Sequence, residues 1–211
     1  MQEHKKPLLS AYILVFNIIS ILITIVALIF SLRFYFKPVE DTIFVVALCQ
    51  SFFLLELLNI KIGATNSTYF ATSTQLASRL FIIWYVCMFR GVLSSRQISL
   101  PKIYIFKNHF ALMGFCWFIS DCIRYAFYTL RSGWLRWLRY NLFIILYPLG
   151  VAMEMFLSFK MISSFNGFLV VAVLWAVGFP FLYGHMIKQR FIVNNRISRR
   201  NNNAANPKKE I

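Results

Sequence analysis

The feature that most constrains this chain is an uncharged, largely apolar segment over residues 8–32. A helix crosses the hydrocarbon core of a bilayer in about 20 apolar residues, so this segment is long enough to span a membrane. It is also too long for the apolar core of a cleaved signal peptide. The sequence therefore predicts a retained transmembrane helix here.

Five further apolar segments follow, and each is predicted to be a membrane span. They cover residues 42–58, 69–89, 109–130, 137–159 and 165–187. Of the 211 residues 59% are hydrophobic and 14% charged, and a soluble fold of this length could not bury that much apolar surface. The predicted fold class is therefore all-α, a polytopic integral membrane protein with six transmembrane helices in one bundle. Five spans are the main alternative, because the fourth segment is the most polar.

Several polar segments are predicted to lie outside the helices. Residues 90–107, with Pro101 and several bases, form the longest connection, and residues 131–134 form a short turn. Residues 1–190 then make one membrane domain, and residues 191–211 a basic tail that we expect to be disordered.

Basic residues indicate the topology and the partners. Six spans place both termini on one side, and with a cytosolic N-terminus thirteen of the 22 bases lie on the cytosolic side and seven on the other. The positive-inside rule therefore favours cytosolic N- and C-termini. Because the bases flank apolar segments rather than form a stripe on a soluble module, they indicate contact with membrane lipid and not with nucleic acid.

Lys208 and Lys209 lie in the basic tail. They are the third and fourth residues from the end of the sequence, which resembles the dilysine retrieval signal of endoplasmic-reticulum membrane proteins. The endoplasmic-reticulum membrane is therefore the expected location. The alternative is a chance pair of lysines in a basic protein.

Ionisable side chains inside the predicted spans are the first candidates for function. Three of the seven acids, Glu56, Asp121 and Glu154, lie there, and so do the cations Arg79 and Arg124. An ionised group at mid-bilayer costs about 2.5 to 3.5 kcal/mol, so these groups are expected to face the bundle interior and to pair.

Helical spacing groups these residues further. Asp121 and Arg124 share a face, as do Gln75 and Arg79, and Tyr147 lies seven residues before Glu154 on one stripe. This predicts a polar, ionisable centre inside an apolar bundle, suited to acid–base chemistry. The alternative is that the polar groups only hold helices together.

Several chemistries lack their motifs. No glycine pattern fits a dinucleotide loop, and the three histidines are far apart, so neither a cofactor nor a metal is predicted. None of the four cysteines is followed six positions later by arginine, as a phosphatase nucleophile loop requires.

Three stretches resemble the very-long-chain (3R)-3-hydroxyacyl-CoA dehydratases, once called protein tyrosine phosphatase-like. They are LRYNLFIILYPLGVAMEM at 138–155, DCIRYAFY at 121–128 and QLASRLFIIW at 75–84. The resemblance implies a hydro-lyase of the endoplasmic reticulum that converts a (3R)-3-hydroxyacyl-CoA into a trans-2-enoyl-CoA in the third step of fatty-acid elongation. The partners it implies are the elongase condensing enzyme, the 3-ketoacyl-CoA reductase and the enoyl-CoA reductase.

The resemblance also implies which side chains act. The catalytic tyrosine and glutamate of that family match Tyr147 and Glu154, with Asp121 standing where the family usually has glutamate. Other polar positions of the family's active-site region match Glu56, Gln75, Arg79, Arg124, Arg139 and Gly150. The adjoining loop at 131–136 is short. Two rival functions are a catalytically silent scaffold and a small transporter, but the tyrosine and glutamate are intact and no internal repeat is visible.

Overall fold

The structure, a computed structural model, describes residues 5–65, 68–93, 100–162 and 165–205. All regular structure in these ranges is helical, and the helices are numbered in chain order. They are α1 Lys5–Phe36, α2 Glu40–Phe52, α3 Leu54–Lys61, α4 Tyr69–Leu80, the π-helix π1 Phe81–Leu93, α5 Leu100–Leu130, α6 Gly133–Met161 and α7 Phe165–Ala205.

Five helical segments within the described ranges are long and apolar enough to cross a membrane. They are Leu9–Phe36, Asp41–Lys61, Phe106–Leu130, Gly133–Met161 and Val171–Ile192. These segments confirm an all-helical protein suited to a membrane. The third predicted span corresponds to α4 and π1, which follow each other without a break; α4 is rich in Ser, Thr, Gln and Arg, and π1 is strongly apolar.

The predicted loop at 90–107 is wrong at both ends. Residues 90–93 continue π1, and residues 100–107 form the first turns of α5, while residues 94–99 lie outside the described ranges. Pro101, which favoured a loop, is the second residue of α5, and proline is tolerated in the first turn because its missing N–H has no intrahelical acceptor there. The predicted turn at 131–134 shrinks to two residues, because α6 begins at Gly133.

The C-terminal segment also differs from the prediction. Residues 191–205, which we expected to be disordered, continue α7 as a helix. The cause is local: no glycine or proline lies between Gly184 and Pro207 to interrupt the helix. Residues 206–211, which include Lys208 and Lys209, lie outside the described part of the chain.

Helix α5 lies between α1 and α6, and α7 packs on α6. The apolar core between α1, α2 and α5 includes Ala27, Phe34, Phe110, Met113 and Phe118. Because α5 contacts helices on both sides, its inward-facing residues are enclosed by the bundle.

Helices α1 and α5 approach each other closely at Gly114. A Cβ atom at this position would clash with Ser31 Oγ and would lie only 2.7 Å from Ser31 Cβ. The crossing of the two helices therefore requires a residue without a side chain.

Gly114→Ala is expected to push α1 away from α5 and to lower the free energy of unfolding by about 1 to 3 kcal/mol, the usual cost of overpacking. Thermal unfolding of purified protein in detergent would measure this. Adding Ser31→Gly should restore stability, and the matched control Gly133→Ala should be neutral, because a Cβ there meets no atom within 4 Å. A Gly114→Ala variant as stable as the parent would show that the helices do not cross this closely.

Candidate active site

One face of α5 carries a row of polar and aromatic side chains. Trp117, Asp121, Arg124, Tyr125 and Tyr128 recur at spacings of three and four residues, so they lie along one stripe. This stripe faces α3, α4 and α6 and supplies much of the site.

Four charged groups form a cluster beside this stripe. Arg79 of α4 forms an ion pair with Asp121. The Arg124 guanidinium lies 3.0 Å from the Glu56 carboxylate of α3 and 3.4 Å from that of Asp121. The Tyr125 hydroxyl also donates to Glu56 at 2.9 Å. The predicted pairing of buried acids with these two arginines is therefore confirmed for Glu56 and Asp121.

The third buried acid, Glu154 of α6, has different partners. It is 5% exposed. The indole N–H of Trp117 donates to its Oε1 at 2.8 Å, and the indole N–H of Trp175 donates to its Oε2 at 3.0 Å. Since each oxygen accepts one hydrogen bond from a neutral donor, the contacts fix the carboxyl plane and suit an ionised carboxylate.

Trp117 connects Glu154 to the charged cluster. The Arg79 guanidinium carbon lies 5.3 Å from the centre of the Trp117 ring, over its face. The same ring donates its N–H to Glu154 at its edge. One indole therefore contacts a cation through its electron-rich face and a carboxyl group through its polar edge.

Tyr147 is half-buried in α6 and is held by aromatic rings of α7. Its ring is stacked on Phe179 at 5.4 Å between centroids and on Tyr183 at 6.1 Å. The stacking fixes the plane of the phenol ring and so restricts the positions that its hydroxyl group can occupy.

A cavity of about 620 Å³ lies between α4–π1, α5, α6 and α7. Five of the predicted site residues line it: Gln75, Arg79, Tyr147, Gly150 and Glu154. Most of the remaining wall is apolar or aromatic, as the following lining residues show: Phe81, Tyr85, Cys116, Trp117, Leu146, Val151, Ile162, Val171, Trp175, Phe179 and Leu182. Thr74, Ser78 and Ser120 add three hydroxyl groups. A cavity with a mainly apolar wall and a few polar groups suits an apolar ligand with a polar head.

The other predicted residues lie outside this cavity. Glu56, Asp121 and Arg124 surround a narrow gap behind it, which Gln75 and Arg79 also line. Arg139 lies near the start of α6, where it donates to the Tyr128 hydroxyl at 3.2 Å and lies over the Tyr128 ring. The predicted site residues therefore form three groups. Five line the cavity, three charged residues lie behind it in the ion cluster, and Arg139 lies apart from both.

Gly150 lies where α6 packs on α5. A Cβ there would be in ordinary contact, 3.6 Å from Cys116 Cβ and 3.7 Å from Trp117 Cδ1. The bare backbone thus leaves room in the cavity next to Trp117, between the levels of Tyr147 and Glu154.

Two partners of Glu154 were not predicted from the sequence. Trp117 lies four residues before Asp121, so the helical spacing already placed it on the charged face. Trp175 gave no such signal, because it lies among apolar residues of a different helix and only the packing of α7 on α6 brings it to Glu154.

Acid–base chemistry is what this arrangement provides. A carboxylate held by two N–H donors and a phenol seven residues away face the same cavity, with the Arg79 cation beside them. Within the described residues, no three His, Cys, Asp or Glu side chains are grouped closely enough to hold a metal ion.

Comparisons with known proteins give the following relatives. The family described as protein tyrosine phosphatase-like protein, PTPLA, matches residues 50–195. A probable very-long-chain (3R)-3-hydroxyacyl-CoA dehydratase of Schizosaccharomyces pombe is 32% identical over 165 residues, 72% of this chain and 74% of that protein. The Homo sapiens very-long-chain (3R)-3-hydroxyacyl-CoA dehydratase 2 is 29% identical over 87% of this chain and 81% of its own length. The Arabidopsis thaliana dehydratase PASTICCINO 2 is 30% identical over 68% of this chain and 72% of its own length. No solved structure matches the chain.

Removing one charged side chain from the cluster should destabilise the protein more than removing both members of an ion pair. Arg79→Gln leaves Asp121 with only the more distant Arg124, and losing one partner of a buried pair costs about 3 to 5 kcal/mol. The double variant Arg79→Gln/Asp121→Asn removes both charges and should recover much of that loss. Chemical or thermal unfolding in detergent would measure both, with the exposed Lys61→Gln as a charge-removal control. Equal stability of the single variant and the parent would contradict the pairing.

Proposed function

This chain belongs to the protein tyrosine phosphatase-like family, PTPLA, and on that premise we propose that it is a very-long-chain (3R)-3-hydroxyacyl-CoA dehydratase. The reaction is the elimination of water from a (3R)-3-hydroxyacyl-CoA to give a trans-2-enoyl-CoA. The names of the relatives from yeast, human and plant all describe this activity. The enzyme is therefore a hydro-lyase, and its substrate is an acyl thioester.

The word phosphatase in the family name does not describe the chemistry of this chain. A phosphatase nucleophile loop needs arginine six positions after cysteine, and Cys49, Cys87, Cys116 and Cys122 are followed there by Leu, Leu, Cys and Tyr. The side chains in the cavity suit proton transfer instead.

The observation that carries the assignment to this site is that Tyr147 and Glu154 face one cavity from one helix. Their Cα atoms are separated by about 10 Å along the axis, the rise of seven helical residues. Both side chains are long and can lean towards each other. The phenol oxygen and the carboxyl group then lie closer together than the Cα atoms, close enough to reach C3 and C2 of one bound thioester.

In the proposed reaction Glu154 is the base and Tyr147 the acid. Glu154 takes the proton from C2, and the electron pair of that C–H bond moves into the thioester to give an enolate-like oxygen. The pair then returns to form the C2–C3 double bond, the C3–O bond breaks, and Tyr147 protonates the leaving hydroxyl to release water. Transfer of the proton from Glu154 back to the Tyr147 oxygen restores both groups.

Supporting groups have proposed roles in the same step. The two indole N–H groups hold Glu154 as an oriented carboxylate, which is the form a base requires. Arg79 is the cation that lines the cavity, and we assign it the stabilisation of negative charge on the thioester oxygen. Glu56, Asp121 and Arg124 hold Arg79 in place, and Gln75 and Gly150 shape the wall for the substrate. Arg139 has a proposed role in binding the CoA group near the start of α6.

The cellular setting is part of the proposal. Six spans, with α4–π1 as the third, and cytosolic termini would place residues 1–190 in the endoplasmic-reticulum membrane, with residues 191–211 as a basic segment on the cytosolic side. The expected partners are the condensing enzyme and the two reductases of the elongation cycle. The chemistry supports this, since a 3-hydroxyacyl-CoA arises by ketone reduction and an enoyl-CoA is consumed by alkene reduction.

Tyr147→Phe and Glu154→Gln should each lower turnover on a 3-hydroxyacyl-CoA by about a hundredfold or more, the scale of losing a positioned acid or base. The double variant should be little worse than the worse single variant, because both residues act on one step. Turnover of purified protein, followed as enoyl-CoA formation, would measure this. The controls are Tyr140→Phe, on the same stripe but outside the cavity, and the exposed Asp41→Asn. Near-normal turnover by a folded Tyr147 or Glu154 variant would remove that residue from the mechanism.

The topology has a separate test at the sequon Asn66-Ser67-Thr68, of which Asn66 and Ser67 lie outside the described residues. Six spans with a cytosolic N-terminus place the connection between the second and third spans, which contains this sequon, in the cytosol. Asn66 should therefore carry no sugar in microsomes. A tag at either terminus should be digested by protease added outside intact microsomes. Glycosidase-sensitive sugar at Asn66 would contradict this topology.

A further inference from the structure

The cavity opens to the outer surface of the bundle. Ala77 of α4 and Tyr85 of π1 both line it, and both remain accessible to solvent, Tyr85 to 42%. The wall formed by α4 and π1 is therefore not closed against α7. At this depth the outside is lipid, because α7 here lies within the apolar segment Val171–Ile192.

Aromatic contacts mark both sides of this opening. Phe181 of α7 meets Phe70 of α4 at 5.6 Å, and Trp175 of α7 meets Phe81 of π1 at 6.5 Å. Gly178 lies between Trp175 and Phe181 in α7 and lines the cavity, and a Cβ added there would meet no atom within 4 Å. The space between the two aromatic contacts is therefore open at Gly178.

An apolar track leads outward from the opening along π1. Phe81, Tyr85 and Phe89 stack in succession, with 5.1 Å and then 6.1 Å between ring centroids. Phe81 and Tyr85 line the cavity, while Phe89 is 53% exposed on the surface. The three rings therefore offer an alkyl chain an apolar path from the cavity to the lipid.

The opposite end of the cavity is too near to hold a long chain. Ile162 and Val171 form this end, and both are buried in the apolar core. Ile162 follows Glu154 by eight residues, about 12 Å along a helix axis. An extended alkyl chain with C–C bonds of about 1.5 Å advances about 1.25 Å per carbon, so about ten carbons fill this distance. A very-long-chain acyl group exceeds it.

We infer that the acyl chain of the substrate leaves the cavity sideways, through the opening between α4–π1 and α7, and lies along Phe81, Tyr85 and Phe89 in the bilayer. The inference rests on the proposed dehydratase function. It explains how a cavity of this size serves substrates of greater length: only the thioester and the first carbons are enclosed, and the tail remains in lipid. The portal, defined by Ala77, Phe81, Tyr85, Trp175 and Gly178, then admits substrate and releases product laterally.

Substitution at Gly178 tests the portal, and Gly184 is a matched control. Both glycines lie in α7 with open space around an added Cβ, but only Gly178 lines the cavity. Gly178→Leu and Gly184→Leu are compared with the parent in lipid nanodiscs, on one short-chain and one very-long-chain 3-hydroxyacyl-CoA. Gly178→Leu should reduce kcat/KM on the long substrate at least tenfold more than on the short one, and Gly184→Leu should leave both unchanged. Equal losses on the two substrates, or no loss, would overturn the lateral route.

A second measurement covers the case in which Gly178→Leu fails to fold. The parent protein is irradiated with a very-long-chain 3-hydroxyacyl-CoA that carries a diazirine at its terminal carbon, and the cross-links are mapped by mass spectrometry. The lateral route predicts labels on π1 at Tyr85 and Phe89 and on nanodisc lipid. Labels concentrated at Ile162 and Val171 would overturn it. A parent protein that dehydrates neither substrate would instead contradict the proposed function itself, so the two failures are distinguishable.

Discussion

A charge inside a bilayer must find a partner within the protein, and this requirement organises the centre of the bundle. Arg79 and Arg124 neutralise Asp121 and Glu56 in a cluster that ties α3, α4 and α5 together. Glu154 is the remaining buried acid, and its hydrogen bonds come from the neutral indoles of two tryptophans. The carboxyl group that is not neutralised by a direct ion pair is the one that faces the apolar cavity, where a base is useful.

The same packing that buries the charges also orients the proposed catalytic groups. Helix α5 is fixed by the tight crossing at Gly114 on one side and by α6 on the other. It places Trp117 so that its face meets Arg79 and its edge meets Glu154. The position of the carboxylate therefore depends on the ion cluster through one side chain, and a change at Arg79 affects both stability and the geometry of Glu154.

The helix repeat predicts which polar residues share a face. Asp121 with Arg124 and Tyr147 with Glu154 lie at three- and seven-residue intervals, which put each pair on one side of its helix. The cost of a charge in the bilayer predicts that this side faces inward. Trp175 was missed, since its contact with Glu154 arises from the packing of two helices and leaves no local pattern. The predictions for residues 90–93, 100–107 and 191–205 are wrong, because they rest on Pro101 and on polar composition, and neither interrupts a helix at those positions.

The proposed mechanism depends most on where the reacting carbons lie relative to Tyr147 and Glu154. The most direct measurement is an electron cryo-microscopy structure of the Glu154→Gln protein in a lipid nanodisc with a bound very-long-chain (3R)-3-hydroxyacyl-CoA. The mechanism predicts the C3 hydroxyl within hydrogen-bond distance of the Tyr147 oxygen, about 2.6 to 3.2 Å, and C2 next to the side chain at position 154. A thioester bound away from both side chains, outside the cavity between α4–π1, α5, α6 and α7, would contradict this mechanism.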